Sequence, residues 1–279
     1  MTLKLLSVKE IGNQDMVYGI FYCKYKALKK TKYGDNYINI GLSDSSGFLD
    51  SKVWKNSEFY YSKFNEGDVV SVKGVPNLYR NKIELNIFHI AKCDPLKYKK
   101  YGFSSAMIVS KIDSDLQLLW KEINKYFKKV GDRGALIKKI YSDYRQSVTL
   151  FPSSIEPELQ VEGSYLRDIL KALKILDVLI DKSNSDDAID FQLIYSLIYL
   201  KKFHLVTGCE KDIIYKVRSE ALDRGMITVF YDIFKKYRKL IDSRLFFSLE
   251  KCLFDSKCED YFFERKVVDE IFSLIDYAS

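Results

Sequence analysis

The spacing of apolar residues changes once along this chain, and that change limits what it can fold into. Up to about residue 91 they recur at every second position; from residue 113 onward they recur at three and four. The first spacing buries one face of a strand and the second buries one stripe of a helix. In Tyr37–Ser43, Ile38, Ile40 and Leu42 share a face opposite Tyr37, Asn39 and Gly41. In Phe48–Trp54, Leu49, Ser51 and Val53 oppose Phe48, Asp50, Lys52 and Trp54. Segments 16–29, 69–75 and 83–91 are rich in β-branched and aromatic residues, as strands are. Turn residues separate the five segments at Lys32–Asn36, Asp44–Gly47 and Tyr79–Lys82. Residues 55–65 suit a short helix between the third and fourth strands.

Five strands with one helix in that place is the order of an OB-fold barrel, which closes its own sheet edges. Asp94-Pro95 and the basic stretch Lys97–Tyr101 suit a linker. A first helix begins behind Asp113-Ser114 and carries Leu116, Leu119, Trp120, Ile123, Phe127 and Val130. Helical patterns follow at 133–148, 164–181, 188–203, 211–239, 242–254 and 263–277, with Ser164 suited to cap the second of these and a polar break at Asn184–Asp187. The expected architecture is multidomain β + α. A five-stranded OB-fold barrel spans 1–94, a linker 95–112, and an all-α helical domain 113–279.

Charge divides along the same line. Residues 1–100 hold 17 Lys+Arg against 10 Asp+Glu, whereas residues 101–279 hold 28 of each, so the whole net charge of +7 lies in the first hundred residues, on the expected barrel and the basic start of its linker. Basic charge interleaved with aromatic rings on a sheet suits a polyanion. OB barrels hold single strands across the face of strands two and three, flanked by the loops joining strands one to two and four to five. That surface would present Tyr37, Asn39, Lys52 and Trp54, with Lys29, Lys30, Lys32 and Tyr33 from one loop and Tyr79, Arg80 and Lys82 from the other. The expected partner is single-stranded RNA or DNA. Rings stack on bases and lysines neutralise phosphates.

Other chemistries find little support. Histidine occurs only at His89 and His204, and H-E-x-x-H, G-x-S-x-G and glycine-rich phosphate loops are absent. The five cysteines show no C-x-x-C spacing and suit reduced thiols. The amino-terminal segment lacks the apolar core of a signal peptide. The apolar run Phe191–Leu200 is about half of what would span a bilayer. The expectation is a cytoplasmic protein with no membrane segment and no cofactor. Richness in Lys, Tyr, Phe and Ile with few prolines suggests an AT-rich bacterial genome.

The strand ending in Ser43-Asp44-Ser45-Ser46-Gly47, the strand ending in Val53-Trp54, and Glu66-Gly67-Asp68-Val69-Val70 together resemble the YhaM family of bacterial 3′–5′ exoribonucleases. Val148–Leu170 resembles that family's passage into its HD domain, with Phe151-Pro152, Ser153-Ser154 and Gly163 kept. The terminal helix pattern is similar as well, and Asp276 matches a final metal-binding aspartate. The resemblance implies an HD-like helical domain whose metals would generate hydroxide and clamp phosphate. Its metal-binding histidines, however, fall on Glu158 and Leu159, on Asp168, and around Phe254-Asp255, and its His-Asp pair falls on Lys201-Lys202. Two histidines cannot fill that set. The resemblance therefore implies a degenerate relative with no catalytic residues and no metal, in which Glu158, Asp168 and Asp276 are vestigial candidates. Two alternatives stand beside it: a rebuilt carboxylate-only metal site that still degrades RNA, and a protein–protein adaptor using the barrel; in the degenerate relative the helical domain could also serve to form a homo-oligomer.

Overall fold

The structure is a computed structural model that describes residues 4–182, 189–255, 257 and 259–277. The chain divides into two compact units, Met1–Ser110 and Lys111–Ser279.

In the first unit, β1 (Val17–Lys30), β2 (Asn36–Asp44), β3 (Gly47–Val53), β4 (Val69–Tyr79) and β5 (Lys82–Lys92) close a barrel in the order β1-β2-β3-β5-β4, and β4 returns to β1. The helix α1 (Ser57–Tyr61) lies between β3 and β4. The alternating residues do what their spacing predicts. Ile38, Ile40, Leu42, Leu49 and Val53 join Val17, Phe21, Val70, Val72, Leu85 and Ile87 in one core. The β2–β3 hairpin turns on Asp44, whose Oδ1 accepts from the backbone N–H of Ser46 (2.7 Å) and Gly47 (3.1 Å).

A bulge between Cys23 and Tyr25 governs β1. Ahead of it Val17, Phe21 and Cys23 point into the core; beyond it Tyr25, Ala27 and Lys29 pair with Gly41, Asn39 and Tyr37 on the outer face. The extra residue flips the strand's faces and lets one long strand serve two neighbours. It also turns Lys26 beneath α1, where its ammonium donates to the carbonyls of Tyr61 (2.8 Å) and Phe64.

The stretch expected to be a linker has structure of its own. Asp94 caps α2 (Pro95–Lys99), accepting from Leu96 N–H at 3.0 Å, and the carbonyl of Met107 accepts from Ser45 N–H at 2.9 Å.

The second unit is built on α3 (Leu116–Tyr126), α4 (Gly134–Asp143), α5 (Arg145–Leu150), α6 (Ser164–Lys182), α7 (Phe191–Leu200), α8 (Phe203–Gly208), α9 (Ser219–Arg224), α10 (Met226–Lys235), α11 (Ser243–Phe254) and α12 (Phe262–Tyr277). Helix α7 is apolar on every side and accordingly buried from Leu193 to Leu200. Its Tyr199 donates to the carbonyl of Ile123 (2.9 Å), and its own carbonyl accepts from Tyr141 (2.7 Å). No described helix is long and apolar enough to cross a membrane.

Three local expectations need correction. The first helix is capped by Asp115, which accepts from Gln117 N–H at 2.7 Å, rather than at Asp113-Ser114. Ser164 begins α6 from within, and its buried hydroxyl accepts from Ser153 N–H at 2.7 Å instead of capping the helix. The segment 211–239 is not helical at its start, because Cys209–Lys211 pairs with Tyr215–Val217 in a small hairpin. The side chain of Gln160 holds that hairpin through both polar groups of Tyr215, at 2.8 and 2.9 Å. The polar break expected at Asn184–Asp187 lies outside the described residues, as does Cys258.

Candidate nucleic-acid interface

Four neighbouring strands of the barrel, β1, β2, β3 and β5, build the outer face. Register sets Tyr37 opposite Lys29, Asn39 between Ala27 and Lys52, and Lys52 beside Asn86 of the parallel β5. Tyr37 and Trp54 stack with centroids 4.7 Å apart and planes 26° apart. The indole is held in place by a 2.9 Å hydrogen bond from Nε1 to Asn86 Oδ1. Trp54 is nevertheless 46% exposed and Tyr79 47%. Half-exposed, fixed rings are what base stacking requires.

Lys52 does not act as the sequence suggests. Its ammonium pairs with Glu84, both side chains are largely covered, and it sits 5.1 Å from the Tyr79 ring and 5.9 Å from the Trp54 ring. Its charge is therefore balanced within the face. The available cations lie at the two ends. At one end are Lys29, Lys30 and Lys32, all exposed, with Lys32 4.9 Å from the ring of Tyr33, itself 80% exposed. At the other are Arg80, 5.3 Å from Tyr79, and Lys82. Arg80 and Asn81 both have positive φ, 49° and 60°, in the two-residue turn that joins β4 to β5. That mirror-image turn matches strand twist but strains residues with a Cβ.

Two grooves continue the face. One of about 700 Å³ lies beside the cationic β1–β2 loop and is lined by Thr31, Asn36, Trp54, Asn56 and Phe59 among others. The other, about 760 Å³, runs between β3 and the β4–β5 hairpin, with Phe48, Asp50, Tyr79, Lys82 and Glu84 on its walls.

Several of these side chains are absent from the sequence-derived set. Tyr25 reaches the outer face because of the bulge and donates to Asp50 at 2.5 Å; burial, then that hydrogen bond, pushes its phenol up to about 12. Gly41 makes room for it, since a Cβ there would meet the Tyr25 ring at 2.3 Å and Phe48 at 2.9 Å. Asn86 and Glu84 arrive through the parallel closure of β3 on β5, which no local pattern announces. Phe48, 44% exposed, was placed on the correct face by alternation alone.

The three carboxylates singled out in the sequence, Glu158, Asp168 and Asp276, are not gathered into one group among the described residues. Glu158 is exposed on a short turn, and Asp168 is buried with Arg167 Nε donating at 2.9 Å and Ser153 at its other oxygen. Asp276 is gripped at both oxygens by Lys202, at 2.8 and 2.9 Å, while neighbouring Lys201 pairs with Asp269 at 2.5 Å. Among the described residues no three His, Cys, Asp or Glu side chains come together in a way that could hold a metal. His204 sits half-buried in the first turn of α8; burial lowers its pKa, and its Nδ1 lies 3.3 Å from the Lys201 carbonyl.

One family model agrees with the barrel. The tRNA anti-codon family model, described as an OB-fold nucleic acid binding domain, matches residues 26–92. The amino-terminal unit is thus an OB-fold nucleic-acid-binding domain, followed by a helical region. No curated protein matches the chain. Among solved structures, a replication protein A heterotrimer bound to single-stranded DNA is 13% identical over 32% of this chain and 65% of that one, with a TM-score of 0.26. The second OB-fold domain of replication protein A from Methanococcus maripaludis is 16% identical over 32% and 94%, TM-score 0.26. The single-stranded DNA-binding protein of Thermus aquaticus is 19% identical over 29% and 41%, TM-score 0.26. The chain spans less than two thirds of the first and third of these structures.

Proposed function

We propose that this chain holds single-stranded nucleic acid, RNA or DNA, across the outer face of β2 and β3. The observation that carries this is the fixed, half-exposed Tyr37–Trp54 stack lying between two clusters of available cations. Rings supply sequence-tolerant stacking and the flanking cations track the phosphates. Balanced charge at Lys52 keeps the centre of the face for bases rather than backbone.

We further propose that the helical unit is a catalytically silent relative of the HD domain of YhaM-type exoribonucleases. Supporting this is the Lys202–Asp276 pair. At the positions where the resemblance implies a His-Asp pair and a final metal-binding aspartate, an ammonium occupies the carboxylate. A divalent cation would have to displace that lysine and share its surroundings with Lys201.

The test is anisotropy titration of labelled oligo(U) and oligo(dT) at increasing salt. Affinity is expected to fall with a log–log slope of about −0.7 per phosphate contacted. No binding at tens of micromolar, or binding indifferent to salt, would overturn the nucleic-acid role and favour a protein partner for the barrel. Labelled RNA incubated with Mn²⁺ or Mg²⁺ is expected to stay intact. Shortening that vanishes in Asp276→Ala would overturn the silent-domain role.

A further inference from the structure

A second concave site lies wholly within the helical unit. Lys138, Tyr141, Ser142 and Arg145 fall at i, i+3, i+4 and i+7 along α4 into α5, which sets them on one stripe. Trp120, Asn124 and Phe127 form the facing stripe at the end of α3. The cleft between them measures about 350 Å³, inside the range of small-molecule sites.

Its floor is aromatic and rigid. Trp120, Phe127 and Tyr141 are all buried, and the indole is anchored by a 2.7 Å hydrogen bond from Nε1 to Thr149 Oγ1. The Arg145 guanidinium lies over that indole, 4.6 Å from the ring, and is otherwise exposed. Its outer surface is a flat cationic plane of the kind on which nucleobases stack. The rim adds Lys138, the Asn124 amide and the Ser142 hydroxyl, and no carboxylate lines the cleft.

Neither Lys138 nor Arg145 has an acidic partner among the described residues, although adjacent Lys139 is paired with Asp143 at 2.5 Å. Acids and bases are equal in number over residues 101–279. A pocket with two uncompensated cations and no acid therefore departs from its surroundings, in the direction that attracts an anion.

We propose that this cleft binds a nucleoside phosphate, with the base on the Arg145 plane and the phosphate held by Lys138 with Asn124 and Ser142. The ligand is either a free mononucleotide or the terminal nucleotide of a strand.

The chain has two tryptophans, so Trp54→Phe in the full-length protein leaves Trp120 as the only indole reporter. Titration of that variant with uridine and adenosine 5′-monophosphates is expected to give a saturable change in Trp120 emission. Lys138→Gln, an exposed change whose folding is checked by circular dichroism, should weaken the response about tenfold, the scale of one charge-assisted contact. No saturable response would overturn the proposal. So would a response untouched by Lys138→Gln, or one given equally by inorganic phosphate alone. A 5′-phosphorylated oligonucleotide that reproduces the response and competes with the mononucleotide identifies a strand end as the source; its failure to do so identifies the free nucleotide. The reporter and the lining of the cleft belong to the helical unit, so failure of oligonucleotide binding at the barrel leaves the mononucleotide outcome unchanged.

Discussion

Lys52 stands at the centre of the outer face and brings it no net charge, because Glu84 is its partner. Lys52→Met leaves that largely covered carboxylate unpaired and is expected to cost about 1–3 kcal/mol in urea denaturation. Lys52→Met/Glu84→Gln should recover most of the loss, and neither variant should change the salt slope of nucleic-acid binding. Trp54→Ala acts differently: it removes a ring whose stacking is worth about 1–3 kcal/mol per base, so affinity should fall by about 5- to 150-fold, with the slope unchanged. An anisotropy titration separates the two effects. Tyr37, Asn39 and Trp54 were legible in the sequence, because alternation within one strand assigns their face without knowledge of any neighbour. The role of Lys52 was not, since its partner lies 32 residues away on a strand that reaches it only when the barrel closes.

The β4–β5 hairpin and the β1 bulge are where backbone conformation shapes the interface. Arg80 holds φ 49° in the turn, at a cost of about 1–2 kcal/mol for a residue with a Cβ. Arg80→Gly is therefore expected to raise the melting temperature while weakening oligonucleotide binding. A variant that bound as well as the parent would remove Arg80 from the interface. Gly41→Val places a side chain where Tyr25 and Phe48 lie. It should destabilise the barrel by about 1–3 kcal/mol through overpacking, measured by urea denaturation, and reduce affinity by tilting the platform. The bulge explains why β1 could not be oriented from its sequence: one extra residue reverses which side chains face inward, and its position depends on two different partner strands. A similar limit applies at Cys209–Val217. Three-residue strands hold too few positions to show a period of two, so the second strand of the hairpin fell inside the span 211–239 expected to be helical.

The helical unit is packed around neutral phenols, and the outer face of the barrel carries another at Tyr25. Tyr25, Tyr126 and Tyr215 are each pushed up to about 12, chiefly by burial, and Tyr141, Tyr165, Tyr195 and Tyr199 are also raised by burial. Unfolded tyrosines ionise near pH ~10. Their contribution to stability is therefore whole below that pH, and it is lost as pH rises towards 12 because only the unfolded chain releases those protons. The melting temperature by circular dichroism should hold to about pH 9 and fall steeply above it. Phenolate absorbance should appear together with unfolding; phenolate formed while the native spectrum persists would contradict this.

By itself the sequence determined the broad division of the molecule: a barrel of five alternating strands, a helical remainder, and all the excess positive charge in the first hundred residues. These are short-range properties, because the period of burial along a segment and the sum of its charges need no partner. Only the tertiary structure decided which charges remain available. It balanced Lys52 with Glu84, set Lys202 on Asp276 across 74 residues, and left Lys138 and Arg145 uncompensated beside Trp120. Pairing depends on distance in space, and burial in a crowded fold raises the cost of leaving a charge alone. Whether each lysine's charge stays available was therefore decided by what the fold brought next to it.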